Sequence, residues 1–292
     1  MLSVSDADIF KENRGLLFSI AYRMLGSAMD AEDMVQEAYL RWTRASQDEI
    51  TSPKSYLTTI VTRLCIDHLR AARVQREQYF GTWLPEPIAA ASLTETEDSA
   101  ALTESLSLAF LVVLESLTPL ERAVFLLHDV FGYAFPEIAQ IVEKSEANCR
   151  QVAHRARQHV EAHRPRFDVS TEDQEHLTHE FLRACTTGDM DGLLETLTAD
   201  VTVYADGGGK ARAVPRPVIG AEKVARFIAR ALSKSLASFD VVPTVVNGGP
   251  GFVLREGGRV SGVVAFDFGA GRIAAVRIVV NPDKLHGVSL DT

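Results

Sequence analysis

The sequence predicts a multidomain chain: two all-α modules, one of three to four helices and one a helix-turn-helix, followed by an α+β domain with a curved antiparallel sheet. Three observations carry that expectation. Apolar residues recur with helical period from residue 5 to about 164, interrupted between 78 and 105 by glycine, two prolines and an acidic run. Beyond residue 166, helical segments give way to alternating runs separated by Gly-rich turns. At 292 residues the chain has room for two or three domains of roughly 100–200 residues each.

The first helix, "SDADIFKENRGLLFSIAYRMLG", is amphipathic and stops at Gly26, and the second, "SAMDAEDMVQEAYLRWTRA", begins behind Ser27 as N-cap. The third opens "SPKS", where Ser52 caps and Pro53 takes the first helical position, at which a missing N–H costs nothing. After the interruption, "LTPLERAVFLLHDVFG" starts with a Thr118–Glu121 capping box and ends at Gly132. The short helix "PEIAQIV" follows from Pro136, then the turn Glu143-Lys144-Ser145, then a second helix capped by Ser145. A short helix, a tight turn and a second helix make a helix-turn-helix. In the last part, "EDQEHLTHEFLRACTTGD", "MDGLLETL" and "GAEKVARFIARALSKS" read as helices, while "DVTVYADGGG", "SFDVVPTVVNGG", "RVSGVVAFDFGAG" and "RIAAVRIVVNPD" read as strands.

The second helix of the helix-turn-helix, "EANCRQVAHRARQHV", is basic in a chain of net charge −9. Its period places Cys149, Val152, Ala153, Ala156 and Val160 on one stripe that packs on Ile138, Ala139 and Val142. Ala147, Gln151, His154 and Gln158 point the other way, flanked by Arg150 and Arg157 on one side and Asn148 and Arg155 on the other. Amide side chains suit base edges and guanidinium forks suit phosphates, with Gln151 and Arg155 the best-placed base readers. A handful of phosphate contacts supports non-specific affinity of only about 10⁻⁴–10⁻⁶ M, so such a helix needs a dimer partner or a larger DNA-binding machine.

Composition limits the alternatives. With 46% hydrophobic and 24% charged residues the chain is ordinary globular material, and its cationic surface is expected in two patches only. No apolar run approaches the roughly 20 residues that span a bilayer, and the start lacks a signal-peptide pattern, so no membrane contact and a cytoplasmic location are expected. Cys65, Cys149 and Cys185 are far apart and form neither a disulfide framework nor a zinc knuckle. No metal site, cofactor or catalytic residue is expected.

"DAEDMVQEAYLRW" resembles the polymerase-binding helix in region 2 of extracytoplasmic-function sigma factors, with Asp30, Asp33, Gln36 and Glu37 on its acidic-polar face and Met34, Val35, Ala38, Tyr39 and Trp42 on its buried side. "SPKSYLTTIVTRLCIDHLRAARVQRE" and then "LTPLERAVFLLHDVFGYAFPEIAQIVEKSEANCRQVAHRARQHV", which is similar to region 4, follow in the family's order, so the resemblance covers residues 5–164. It implies domains at 1–78 (region 2), 79–105 (linker) and 106–165 (region 4). It also implies contact with core RNA polymerase through Asp30, Asp33, Gln36 and Glu37, with the −10 promoter element through Arg63, Arg70, Arg73 and Arg76, and with the −35 element through the second helix of the helix-turn-helix. The loop "SQDEITS" sits where the family captures a flipped base.

Three further phrases resemble the signatures of a subgroup with a fused SnoaL-like extension. They are "WLPEP" (Trp83, Leu84, Pro85, Glu86, Pro87), "DGGGK" (Asp206, Gly207, Gly208, Gly209, Lys210) and "NPDKL" (Asn281, Pro282, Asp283, Lys284, Leu285). The resemblance implies that residues 166–292 form an NTF2-like cone that regulates the sigma modules in place of a separate anti-sigma factor. "DGGGK" is not a phosphate loop, since Ala211 stands where Ser or Thr is needed and Pro215 and Pro217 follow closely. Cone folds also host enzymes and small-ligand pockets, which Tyr204, Asp206 and Asp267 are candidates to line; a sensor role with an unknown small ligand is favoured over catalysis. The runner-up reading is a dimeric helix-turn-helix regulator with a ligand-binding C-terminal domain.

Overall fold

In a computed structural model, residues 6–45, 50–76, 79–89, 105–163, 169–235 and 239–288 are described. The chain divides into two compact units: Met1–Glu77, Thr94–Ser105 and Leu111–Arg164 form the first, and Gln78–Leu93, Leu106–Phe110 and Pro165–Thr292 the second. The chain path therefore alternates between them, and residues 79–89 belong with the C-terminal domain.

In the first unit, α1 (Asp6–Leu25), α2 (Ala28–Arg44) and α3 (Pro53–Arg76) enclose a core around Leu17, Ile20, Val35, Trp42, Leu57 and Val61. Local chemistry sets their ends. Gly26 turns at φ 67°, the Ser27 hydroxyl accepts from the Asp30 N–H, and Ser52 accepts from the Ser55 N–H. After α4 (Leu108–Glu115), α5 (Pro119–Phe125) opens on the Thr118–Glu121 capping box and passes into a π-helical turn, Leu126–Val130. That turn aims Tyr133 at α3, where its hydroxyl meets Thr58 Oγ1 at 2.9 Å.

The helix-turn-helix comprises α6 (Phe135–Val142) and α7 (Glu146–His163). Glu143 between them adopts the left-handed conformation (φ 53°), and Ser145 caps α7 by accepting from Asn148 N–H. Cys149, Val152, Ala153, Ala156 and Val160 are buried, the stripe that the period gives.

The second unit carries α8 (Thr171–Thr187), α9 (Met190–Thr196) and α10 (Ala221–Ser235) against a six-stranded sheet. Its strands are β1 (Leu197–Asp206), β2 (Val218–Ile219), β3 (Phe239–Val246), β4 (Gly249–Glu256), β5 (Arg259–Gly269) and β6 (Arg272–Val279), in the order β2-β1-β6-β5-β4-β3. The antiparallel expectation needs one correction: β1 runs parallel to β6. The crossover through α10 carries the chain to the far side of the sheet, so β1 meets the last strand of the β3–β6 meander. Phe181 of α8 and Val224, Ala225 and Ile228 of α10 share a core with Phe252, Phe266, Phe268 and Val276 of the sheet.

Candidate functional site

On α2, Asp33 and Gln36 are exposed, Glu37 pairs with Arg41 at 2.8 Å, and Asp30 faces His68 at 3.6 Å. Val35, Ala38 and Trp42 are buried and Met34 half-buried, but Tyr39 is 39% exposed, with its ring edge-on to Phe10 at 4.9 Å. The helical period placed Tyr39 inward; it stands on the shoulder of the stripe, beside exposed Leu40. Met29 and Leu40 thus flank the acidic face with apolar surface, and Phe10, Arg14, Glu32, Gln36 and Tyr39 line a hollow at its edge.

On α7, Ala147, Asn148, Arg150, Gln151, His154 and Arg155 are exposed and Arg157 is partly so. The guanidinium groups already have carboxylates: Arg157 meets Asp129 at 2.6 Å, Arg155 approaches Glu121 at 3.8 Å, and Arg150 pairs with Glu146 and lies over the Phe135 ring. Ion pairs at the surface contribute about 0–1 kcal/mol each, so these carboxylates hold the arginines only weakly.

On α3, Arg63 faces the helix-turn-helix. Its Nε donates to the Ile141 carbonyl at 2.8 Å, Nη2 donates to that of Gln140 at 2.9 Å, and Nη1 pairs with Glu143 at 2.8 Å. The acceptors are the last carbonyls of α6, the negative end of its dipole. Arg70 is exposed and contacts Asp67. Arg73 and Arg76 continue α3, but their side chains lie outside the described residues, as do residues 46–49 of the "SQDEITS" loop.

In the second unit the three phrases meet. Asp206, at the end of β1 and wholly buried, accepts from the Tyr79 hydroxyl (2.5 Å), the Leu84 N–H (2.9 Å), the Gly208 N–H (3.0 Å) and the Lys284 ammonium (2.8 Å). Lys284 also donates to the Leu84 carbonyl at 2.5 Å and lies 4.4 Å from the Trp83 ring centre. Asn281 donates to the Tyr79 hydroxyl at 3.0 Å, and Lys210 pairs with Asp283 at 2.6 Å. Burial, then the hydrogen bond and charge of Asp206, push the Tyr79 hydroxyl above its usual pKa.

Gly208 is required in this turn: its φ is +58°, and a Cβ there would stand 2.3 Å from Asn281 Nδ2. Glu86 and Leu84 are buried, and Gly207, Gly209, Pro282 and Leu285 complete the turns that carry the charged groups. The sequence marks Tyr79, with Trp83, as part of an apolar segment too sticky for a plain linker, but not the use of its hydroxyl; it gives no sign of Asn247 beyond a turn residue. Asn247 is buried at φ 51°, exchanges two hydrogen bonds with Ile88 (3.0 and 2.9 Å), and donates to the Leu106 carbonyl at 2.9 Å.

Tyr204, Asp206 and Asp267 do not line a space between helices and sheet. Their neighbours Val203, Phe266 and Val276 face the helices, so they point to the opposite face, where Arg277 pairs with Asp267 at 2.6 Å and lies 4.9 Å from the Tyr204 ring centre. Phe181, Phe252, Phe266 and Phe268 fill the helix-facing side with edge-on and tilted ring contacts. Among the described residues no helix is long and apolar enough to cross a membrane.

The sigma-70 region 2 family matches residues 9–74, and the sigma-70 region 4 family residues 107–160. The chain is 38% identical over 295 residues to the ECF RNA polymerase sigma factor SigJ of Mycobacterium tuberculosis, an alignment covering 96% of this chain and 93% of that one. It is 34% identical over 278 residues to the probable ECF RNA polymerase sigma factor SigI of the same species, covering 94% and 93%. The crystal structure of M. tuberculosis SigJ superposes with a TM-score of 0.76 at 35% sequence identity, over 97% of this chain and 99% of that one.

Proposed function

We propose, from the premise that the chain belongs to the extracytoplasmic-function RNA polymerase sigma factors, that its C-terminal domain modulates initiation by gripping the segment between the two sigma modules. As a sigma factor it directs core polymerase to promoters; the division of labour among its residues is our assignment. Asp30, Asp33, Gln36 and Glu37 engage core polymerase, with Met29 and Leu40 supplying apolar surface around them. Gln151 and Arg155, with His154 and Asn148 beside them, face the bases of the −35 element while Arg150 and Arg157 hold phosphates. Arg63, Arg70, Arg73 and Arg76 serve the −10 element, which requires Arg63 to leave α6. In this reading the fused domain takes the place of a separate anti-sigma factor, and the protein works in the cytoplasm.

The observation that carries the reading is Asp206. One buried carboxylate holds "WLPEP" through the Leu84 N–H and Tyr79, and "NPDKL" through Lys284, so the region 2 to region 4 connection is a bound ligand of the third domain. The dimeric-regulator reading gains no comparable support. Run-off transcription with purified core polymerase tests the proposal: the full chain should start synthesis without another initiation factor, and Asp206→Ala should change output at equal occupancy of core. Unchanged output would remove the modulatory role and leave the sigma activity standing.

A further inference from the structure

The chain carries a third cationic surface, on the C-terminal domain. Between residues 210 and 234 stand seven cations, Lys210, Arg212, Arg216, Lys223, Arg226, Arg230 and Lys234, against a single acid, Glu222. Lys210 is taken by Asp283. Arg212, Arg216, Lys223, Arg226 and Arg230 are exposed. On α10, Lys223, Arg226 and Arg230 fall on one side, opposite the buried Val224, Ala225 and Ile228, and span about 10 Å at about 1.5 Å per residue. The loop before α10 is fixed at both ends, by Ala211 N–H to Gly207 O (2.9 Å) at its start and by the pairing of Val218 with Val203 at its finish. Arg212 and Arg216 therefore stand on a loop fixed at both ends rather than on a free tail.

We infer that this face binds the phosphate backbone of duplex DNA, giving the C-terminal domain a sequence-independent hold beside those of the two sigma modules. Four of its five exposed cations are arginines, whose guanidinium forks match phosphate oxygens. Within the segment the competing acid is Glu222, whose approach to Arg226 is 3.5 Å with both side chains well exposed. A lipid surface is a poorer fit: interfacial helices insert their apolar face, and that of α10 is already buried in the core of its own domain. The function established for the chain brings it to DNA in any case.

The test uses the full-length protein and a fluorescein-labelled duplex of scrambled sequence, titrated from 50 to 200 mM KCl. Replacing Arg212, Arg216, Lys223 and Arg226 together by alanine should flatten the plot of log affinity against log salt by about one unit for each phosphate no longer neutralised. Replacing the three arginines by lysine should restore most of the slope. An unchanged slope in the alanine variant, with its circular dichroism intact, overturns the inference. So does retention on immobilised poly-glutamate without any effect on DNA, which would assign the face to an acidic protein. If the alanine variant is misfolded, the single Arg226→Gln variant is decisive: a shallower slope supports the inference and an unchanged one sinks it. Run-off synthesis by the same variants reads the sigma activity separately, so failure of either claim is visible alone.

Discussion

Asp206 accepts four hydrogen bonds in full burial, and three of them come from residues 78 or more positions away in sequence. Removing it takes the carboxylate from the Lys284 ammonium, which is only 14% exposed, and leaves the Leu84 N–H without its acceptor. Asp206→Ala should cost about 3 kcal/mol, read as a lowered Tm, with faster proteolysis within 79–105. Tyr79→Phe, which keeps the ring and loses the hydroxyl, should cost about 1–2 kcal/mol. Its pH signature has a definite sign. Because the Tyr79 pKa is raised on folding, its contribution is complete below the unfolded value of about 10 and is lost as pH climbs through the folded one. Melts at pH 8 and pH 11 should show a larger drop for the parent than for Tyr79→Phe. Burial likewise pushes the Cys185 thiol up to about 12, so iodoacetamide should label it slowly in the native protein at pH 8 and rapidly after denaturation.

Among elements, α3 and α6 share the Arg63 hydrogen bonds, and these tie Arg63 to the helix-turn-helix. Arg63→Ala should loosen α6 by about 1–2 kcal/mol, measured as faster amide hydrogen exchange along Phe135–Val142, with slower exchange or no change counting against the tie. On α7, Arg150→Ala should weaken all DNA similarly, whereas Gln151→Ala should relax preference at one base step by about 1–3 kcal/mol; binding to a panel of −35 variants separates the two. The helix ends at Gly26, Ser27, Ser52, Thr118 and Ser145 were legible because caps and turns are written within four residues of each other. The buried stripe of α7 was legible for the same reason. The parallel β1–β6 pair was not, since its register joins residues more than 70 apart, and Tyr39 was misplaced because a stripe's edge depends on what packs there. The cations of α10 escaped notice because they alternate with the apolar residues of a core-facing stripe.

For the whole molecule, a cut near residue 165 removes more than the C-terminal domain. It also strips the partner from Leu84, Ile88 and Ala89, all buried in the intact chain, and from Trp83, which stacks on Lys284. The truncated protein should therefore bind the dye ANS and self-associate more than the parent; equal dye binding would mean that the segment buries itself. Altered transcription by such a truncation reports on this exposure as well as on release, and the Asp206 variant is the cleaner comparison. That "WLPEP", "DGGGK" and "NPDKL" matter was legible as phrases. That they touch one another was not, because proximity between residues 79, 206 and 284 is invisible to any local reading.

The order in which a ribosome delivers these parts follows from the same clamp. Residues 79–89 leave the exit tunnel long before Asp206, Asn247 and Lys284 exist to receive them. At about 5–20 residues per second the wait is about 10–40 s. Every newborn molecule thus passes through an interval in which both sigma modules are made and their connection is unheld, so the rate of translation sets how long that interval lasts.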